Sequence, residues 1–232
     1  RQIRLARKKG AKIICLPELF ISKYFCQSEK HSNFKLAEKI PGPTTQKLSS
    51  IARELKIILI IPIFEKRTSG IYHNSCVVIN EKGLIVGKYR KMHIPDDPQY
   101  YEKFYFTPGD LGYKSFKTKE GNLGVLICWD QWFPEAARLT AIEGANIIFY
   151  PTAIGWNLQE AELREKYAQG WEISMRAHAI ANGAYIAAVN RTGTEGEMAF
   201  WGRSFVAGTM GEILVQAPDA EAANIVADCD LQ

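Results

Sequence analysis

The chain has 232 residues, of which 47% are hydrophobic and 23% are charged. That length and apolar content suit the core of one α/β domain, so we expect a single domain over residues 1–232. The 29 basic and 25 acidic residues leave a net charge of only +4, and they form no dense basic tract, which argues against a nucleic-acid groove. Small molecules and further copies of the same chain are therefore the expected partners.

The apolar runs and the cysteines limit which compartment and which cofactors we expect. The longest apolar runs, such as residues 57–64, are far shorter than the roughly 20 residues of a membrane-spanning helix, and no stretch resembles a secretory leader. Five cysteines at wide spacing fit neither a disulfide-stapled domain nor paired zinc ligands. We expect a cytoplasmic protein with free thiols, no membrane partner, no metal and no cofactor.

The predicted elements, taken in chain order, begin with a helix and two buried strands. Residues 1–12 are typical of the second half of a helix, and residues 11–19 form a short strand ending near Pro17. A helix over 41–56 and a near-continuous apolar strand over 57–67 follow, the latter of the kind covered on both faces. Because the first helix begins abruptly, we expect the natural chain to extend beyond it, and likewise beyond the strand predicted at the other end.

The middle of the chain changes to β-hairpins, and helices then return. Strands are predicted at 72–80 with 84–91 and at 113–118 with 123–128. The remaining elements are a helix at 133–145, a strand at 146–153, a helix at 160–182 and strands at 184–190, 203–209, 212–217 and 224–230. Strand–helix units on both sides of a hairpin block predict two sheets packed face to face with helices outside each. The irregular segment 92–110 is long enough to suggest a functional loop.

Cys128 is the strongest candidate for a nucleophile. A free cysteine is usually a small buried hydrophobe, but this one is the last residue of a predicted strand, where sites are commonly built. Asp130 and Gln131 follow it, and Pro134 suits the first turn of a helix, so backbone N–H groups are expected nearby. Such a setting lowers the pKa of a thiol and offers donors to an oxyanion.

A cysteine nucleophile needs a base, and two residues are candidates. Among the histidines only His93 lies in a loop that could approach a site, since His178 falls in a predicted helix. Glu18 follows Pro17 at the end of an apolar strand, so it shares the rim with Cys128 if the strands are parallel. Partial burial would raise the pKa of its carboxyl toward the range useful for proton transfer; the alternative is a solvated loop residue or a cap.

Lys91 closes a predicted hairpin strand and is the candidate cation. A lysine at a strand edge is also an ordinary protection against aggregation. Lys88 and Arg90 lie beside it, and the sequence leaves open which of the three points inward. A lysine facing a thiolate would lower the pKa of the thiol and stabilise a tetrahedral intermediate.

These residues lie in three segments that resemble the signature motifs of the nitrilase superfamily of carbon–nitrogen hydrolases. The segments are PELF with Glu18, KYRKMHIPDD with Lys91, and GVLICWDQWFPEAAR with Cys128, and they occur in the order of that family. The resemblance covers essentially the whole chain. It implies an α/β fold, a four-layer α-β-β-α sandwich, which agrees with the element pattern.

The resemblance also implies roles for individual residues. Glu18 would be the general base for Cys128, while Lys91 and the backbone N–H of Trp129 would hold the oxyanion. Glu102 matches a second glutamate of the family and would orient Lys91, although its own surroundings suggest only a solvated loop residue. Three further residues are expected to bind substrate, namely Tyr24, Thr152 and Asp130.

The longer stretches of sequence around these motifs are most similar to those of family members that hydrolyse N-carbamoylputrescine to putrescine, carbon dioxide and ammonia. The rival is a β-ureidopropionase-type carbamoylase, whose substrate carries a carboxylate in place of the ammonium. An ammonium tail favours carboxylates and aromatic faces, whereas a carboxylate tail favours arginine. The loops offer several acidic and aromatic residues and few arginines, which favours the amine: Tyr24, Asp96, Asp97, Tyr100, Tyr101, Asp130 and Trp156.

Two other functions stay open. The chain could be a catalytically silent assembly or regulatory homologue, although the four reactive residues argue against it, and the same triad could serve a nitrilase acting on a nitrile. We also expect a homodimer or larger assembly. Tyr167, Trp171 and Met175 in the predicted helix 160–182 could supply its interface, or could be ordinary core.

Overall fold

Among the residues that the structure describes, four α-helices form where the sequence predicts helices. The structure, a computed structural model, describes residues 1–231, apart from the side chain of residue 161. The helices are α1 (Gln2–Lys8), α2 (Pro43–Leu55), α3 (Pro134–Ile142) and α4 (Arg164–Asn182). A proline stands in the first turn of α2 and of α3, where its missing N–H costs nothing and its fixed φ suits the helix. Helix α4 ends at Gly183, whose φ of 59° is left-handed, a conformation that glycine adopts without strain.

Thirteen strands are assigned among residues 1–231, and they form three sheets. The first sheet has the order β1-β2-β3-β4, the second β13-β12-β9-β7-β6-β5, and a small third sheet β10-β11-β8. The bounds are β1 (Ile13–Cys15), β2 (Ile58–Thr68), β3 (Ile71–Ile79), β4 (Ile85–Arg90), β5 (Ser115–Thr118), β6 (Gly121–Val125), β7 (Ile147–Thr152), β8 (Gly155–Asn157), β9 (Tyr185–Asn190), β10 (Thr192–Glu195), β11 (Met198–Trp201), β12 (Phe205–Ala207) and β13 (Ile213–Gln216).

The two large sheets pack into the four layers that the sequence predicts. Alternate residues of β2 face opposite ways: Ile58 and Ile60 join a core shared with the second sheet, while Leu59 and Ile61 join a core under α1 and α2. On the far side of the second sheet, residues of α3 and α4 such as Trp171 pack into the same large core. The order of layers is therefore helices, sheet, sheet, helices, and the predicted α-β-β-α sandwich is confirmed.

The strand directions bring several chain segments to one end of the sandwich. Strands β1 and β2 are parallel, and β3 runs antiparallel to both β2 and β4, so β4 runs in the direction of β1. In the second sheet β6, β7 and β9 are parallel. The segments after β1, β4 and β6 carry Glu18, Lys91 and Cys128, respectively. Carboxyl ends of parallel strands are the usual place for a site in such sheets.

One predicted strand is absent from the structure, and one small sheet was not predicted. Residues 224–230 form no strand; instead Val226 packs against the core under α1 and α2, while Cys229 and Leu231 pack against the large core, so apolar burial without a pairing strand explains the pattern. The small third sheet was not predicted, because its strands have only three or four residues each. No helix among residues 1–231 is long and apolar enough to cross a membrane.

Candidate active site

Cys128 lies in a sharp turn between β6 and α3. The sequence predicts the cysteine to be the last residue of its strand. Strand β6 in fact ends at Val125, and the cysteine begins a 3₁₀ segment over Cys128–Trp132. Its φ is +43°, a left-handed value that is uncommon for a residue with a side chain. Strained backbone of this kind clusters at active sites. The next residue, Trp129, lies in the first turn of the segment, where backbone N–H groups lack partners within a helix.

Lys91 is buried between two carboxylates. Its Nζ donates to Oε1 of Glu18 at 2.9 Å and to Oε2 of Glu102 at 2.7 Å, and none of the three side chains is exposed to solvent. The inward residue of the lysine–arginine–lysine run is thus Lys91, whereas Lys88 and Arg90 bind Glu65. Glu102, which the sequence alone suggested to be solvated, is fully buried.

Glu18 keeps one oxygen free of the surrounding hydrogen bonds. Its Oε1 accepts from Lys91 and, at 2.6 Å, from Nδ2 of Asn74. Its Oε2 has no hydrogen-bond partner among residues 1–231 although it is buried. A buried carboxylate oxygen without a partner is costly, and it is available to take a proton from a neighbouring group. The charges of Glu18, Lys91 and Glu102 all act on the Cys128 thiol.

The pKa values follow from burial and from these charges. Burial and the carboxylate of Glu18 raise the pKa of Cys128 well above its usual range, although the Lys91 ammonium lowers it. The expectation of a lowered thiol pKa is therefore wrong, because the sequence could not show how completely the thiol is removed from water. Burial raises the pKa of Glu102 to about 7 against the opposing effect of Lys91. For Lys91 burial acts downward, but Glu102 and Glu18 raise its pKa well above its usual value, so it stays charged.

The residues predicted to bind substrate lie in different places. The Tyr24 hydroxyl donates to Oε1 of Glu102 at 2.8 Å, so it contacts the cluster itself. The Thr152 hydroxyl is buried and donates within its own strand, to the carbonyl of Tyr150 at 2.9 Å. The Trp129 side chain lines a cavity of about 500 Å³, whose wall also contains Met92, the residue after Lys91.

Asp130, which the sequence predicts to bind substrate, does not line the cavity beside Trp129 and is bound by the protein itself. Its side chain is fully buried, and both carboxylate oxygens accept hydrogen bonds from the protein. Oδ1 binds the backbone N–H and Nδ1 of His93, and Oδ2 binds the Tyr89 hydroxyl and the backbone N–H of Ile127. These contacts occupy the carboxylate completely, because each oxygen already has two partners.

Known proteins resemble this chain in sequence and in fold. The family model of the carbon-nitrogen hydrolases matches residues 1–232. The chain belongs to the carbon–nitrogen hydrolase family. An N-carbamoylputrescine amidase of Solanum lycopersicum is 45% identical over 240 residues, which cover 100% of this chain and 79% of that protein. A citrullinase of Francisella tularensis is 41% identical over 91% of this chain and 75% of its own length. A solved carbon-nitrogen hydrolase of Helicobacter pylori G27 superposes with a TM-score of 0.91 at 46% identity, covering 95% of this chain and 78% of that one.

In this carbon–nitrogen hydrolase, two residues that contact Glu18 were not predicted from the sequence. Asn74 holds Glu18 by its side chain and accepts the backbone N–H of Lys91 at 2.8 Å. Arg191 donates to the carbonyls of Glu18, Leu19 and Ser22 at 2.9 to 3.1 Å. The run HNS inside the apolar strand β3 was the available signal for Asn74, because three buried polar residues in a strand need partners.

Arg191 also joins the loop that carries Glu18 to Glu195 in β10. It donates to Oε1 of Glu195 at 2.5 Å, and Oε2 of Glu195 accepts the backbone N–H of Tyr24 at 2.6 Å. The Tyr24 ring meets those of Tyr100 and Phe200 edge to face at 5.8 and 5.7 Å. The Tyr24 ring, whose hydroxyl binds Glu102, is therefore packed among aromatic side chains. Among residues 1–231, no group of three or more acidic, histidine or cysteine side chains is placed to hold a metal ion.

Proposed function

We propose that this carbon–nitrogen hydrolase is an N-carbamoylputrescine amidase, which converts N-carbamoylputrescine and water to putrescine, carbon dioxide and ammonia. The observation that carries the proposal is the 45% identity over the whole chain to an amidase named for that substrate. Three other plant enzymes of the same name are 44 to 45% identical over 100% of the chain. The buried cluster of a cysteine, two carboxylates and a lysine supplies the groups that the reaction needs.

In the proposed first half-reaction, Cys128 attacks the carbamoyl carbon. The thiol is protonated at rest because its pKa is raised, so its proton must move during the attack, and the unpartnered Oε2 of Glu18 receives it. The Lys91 ammonium and the Trp129 N–H stabilise the developing oxyanion. The carbon–nitrogen bond then breaks, and Glu18 returns the proton to the departing nitrogen, which leaves an acyl group on the sulfur.

Water completes the proposed reaction. Glu18 takes a proton from the water as its oxygen attacks the acyl carbon, the carbon–sulfur bond breaks, and the thiol regains its proton. The carbamic acid released in this way decomposes to carbon dioxide and the remaining amine. The balance holds whichever nitrogen leaves first. Glu102 supports these reaction steps by holding Lys91 at 2.7 Å.

The charge of the buried cluster supports an ammonium-bearing substrate. Among residues 1–231, Lys91 is the one cation that contacts the carboxylates of Glu18 and Glu102, so the cluster is net negative above the pKa of about 7 at which Glu102 ionises. A site of one sign attracts a ligand of the opposite sign. A substrate that carries only a carboxylate at its tail is disfavoured on this count.

A citrullinase activity is the second candidate, and the 41% identity to the Francisella tularensis enzyme favours it. Citrulline shares the carbamoyl group, the linking methylenes and the ammonium of N-carbamoylputrescine and adds a carboxylate. Ammonia release should be measured with both compounds and with N-carbamoyl-β-alanine, using Cys128→Ala as the blank. We expect the highest kcat/KM for N-carbamoylputrescine and the lowest for N-carbamoyl-β-alanine. A higher value for citrulline would assign the second function, and no release from any of them would favour the silent homologue.

We further propose that the protein self-associates through the outer surface of α3 and α4. Four large apolar side chains of these helices are between 44 and 69% exposed: Leu139, Ile142, Ile173 and Ile180. Trp171 and Met175, by contrast, are core residues, and only Tyr167 of the predicted stripe is exposed. Light scattering should give a dimer or larger, and Ile173→Glu should lower the mass toward that of the monomer. A native monomer would refute this part of the proposal.

A further inference from the structure

The buried carboxylate of Asp130 connects the turn that carries Cys128 to the segment on either side of Lys91. The side chain of Asp130 is fully buried and accepts four hydrogen bonds. The backbone N–H of Ile127 and the Tyr89 hydroxyl donate to its Oδ2 at 2.9 and 2.8 Å. The backbone N–H and Nδ1 of His93 lie 3.0 and 2.7 Å from its Oδ1. Its partners thus come from two segments that are distant in the sequence.

Those partners stand directly beside the reactive residues. Ile127 precedes Cys128, and the Asp130 N–H donates back to the Ile127 carbonyl at 3.1 Å, so the strained cysteine lies inside a closed loop of hydrogen bonds. Tyr89 and His93 lie two residues before and two residues after Lys91. The carboxylate therefore holds both flanks of the lysine and the base of the cysteine turn at once.

We propose that Asp130 is a positioning residue, which fixes the distance and direction between Lys91 and Cys128. The left-handed φ of Cys128 costs energy that its surroundings must offset, and the Asp130 hydrogen bonds are contacts that hold this turn. The inference rests on the proposed roles of Cys128 and Lys91, but not on the identity of the substrate. It explains why this acidic residue is buried and hydrogen-bonded on both oxygens.

The role requires a carboxylate rather than an amide. An asparagine of the same shape would present one oxygen and one NH2 group. In either orientation the NH2 would face one backbone N–H, that of Ile127 or that of His93, which would be left buried without an acceptor. The Tyr89 hydroxyl and the His93 ring can each exchange donor and acceptor roles, but a backbone N–H cannot. Asp130→Asn therefore releases one flank of the connection while keeping the volume of the side chain.

The test compares the reactivity of Cys128 in variants that remain folded. The rate of Cys128 alkylation by iodoacetamide should be measured against pH in the native protein, Asp130→Asn and Tyr89→Phe, with the labelled peptide identified by mass. We expect Asp130→Asn to slow alkylation about tenfold and to move the rate curve to higher pH, because Lys91 is the charged group that lowers the pKa of the thiol. It should also lower kcat by about ten- to a hundredfold with little change in KM, as a misplacement of about 1 Å does.

Tyr89→Phe removes a single donor and serves if the first variant fails to fold. It should slow alkylation by roughly threefold, the equivalent of one neutral hydrogen bond. Asn80→Ala is the matched control, since the Asn80 side chain accepts two backbone N–H groups in the β3–β4 turn and should leave alkylation unchanged. Native alkylation rates and kcat in folded Asp130→Asn and Tyr89→Phe, even with a lowered Tm, would overturn the proposal. If the substrate assignment alone is wrong, the alkylation effect persists.

Discussion

Replacing Lys91 by methionine should make the stability of the protein depend strongly on pH. Among residues 1–231, the lysine is the one cation that contacts the buried carboxylates of Glu18 and Glu102, at 2.9 and 2.7 Å. Methionine has nearly the same length and fills the same space, so the change removes charge without leaving a large cavity. The two carboxylates would then share a site from which water is excluded, and like charges there cannot both stay ionised.

The magnitude follows from the cost of neutralising those carboxyls. A glutamate of ordinary pKa, 4.5, requires about 1.4 kcal/mol per pH unit to be held protonated, that is about 5 kcal/mol at pH 8 and under about 1 kcal/mol at pH 5. Removing one partner of a buried pair typically costs about 3–5 kcal/mol. We therefore expect Lys91→Met to lower the free energy of unfolding by about 3–5 kcal/mol at pH 8 and by about 1 kcal/mol at pH 5.

Urea unfolding of both proteins, followed by tryptophan fluorescence at the two pH values, measures this difference. Lys88→Met is the matched control, because Lys88 lies three residues before Lys91 and binds a different carboxylate, that of Glu65, at 2.7 Å. Arg90 keeps that carboxylate paired, and Lys88 is partly exposed, so the control should lose no more than about 1 kcal/mol. An equal loss for Lys91→Met at both pH values, or no loss at pH 8, would show that the cluster is not electrostatically bound as described.

Three further predictions concern residues around the cluster. Tyr24→Phe removes a hydrogen bond that lowers the pKa of Glu102, so the acid limb of kcat/KM should move to higher pH; an unchanged limb would exclude Glu102 from the rate. Hydrogen bonds from Arg90 and its neighbours overcome burial and lower the pKa of Glu65 to about 2. Because a carboxyl with a lowered pKa stabilises the fold above its ordinary pKa and loses that contribution as pH falls toward 2, acid titration of the unfolding free energy should show a loss of about 3 kcal/mol that Glu65→Gln lacks. Arg191→Lys keeps a charge but cannot reach three carbonyls together, so kcat should fall about tenfold with KM nearly unchanged; native kcat would refute a role in holding the loop of the proposed base.

The site was predictable where a local pattern marks it. Glu18, Lys91 and Cys128 each lie at the end of a predicted strand, and the structure brings the first two into contact and places their charges around the third. The four layers were predictable for the same reason, since strand periodicity and helix order appear within short windows. Glu102 has a predicted role only through the resemblance of the chain to the family, because its own flanking residues look like an ordinary loop.

The remaining features depend on contacts between distant residues. Arg191 holds the Glu18 loop across 173 residues, and Asn74 reaches Glu18 across 56, separations that no local pattern records. The raised pKa of Cys128 depends on complete burial, whereas the sequence showed only a helix start that favours a thiolate. The sequence predicts Asp130 to bind substrate because an acidic loop residue suits an ammonium tail, but in the structure its carboxylate accepts four hydrogen bonds from distant parts of the chain.

The measurement that tests the central claim most directly is the mass of the protein quenched during turnover of N-carbamoylputrescine. Peptide mapping should find one acyl group on Cys128, either a carbamoyl group or the whole N-substituted carbamoyl group, which also identifies the nitrogen that leaves first. Cys26 is the matched control, because it is buried and acted on by the same two carboxylates and by Lys91; Cys26→Ala should turn over substrate and Cys128→Ala should not. Turnover by Cys128→Ala, or an acyl group on another residue, would contradict the account.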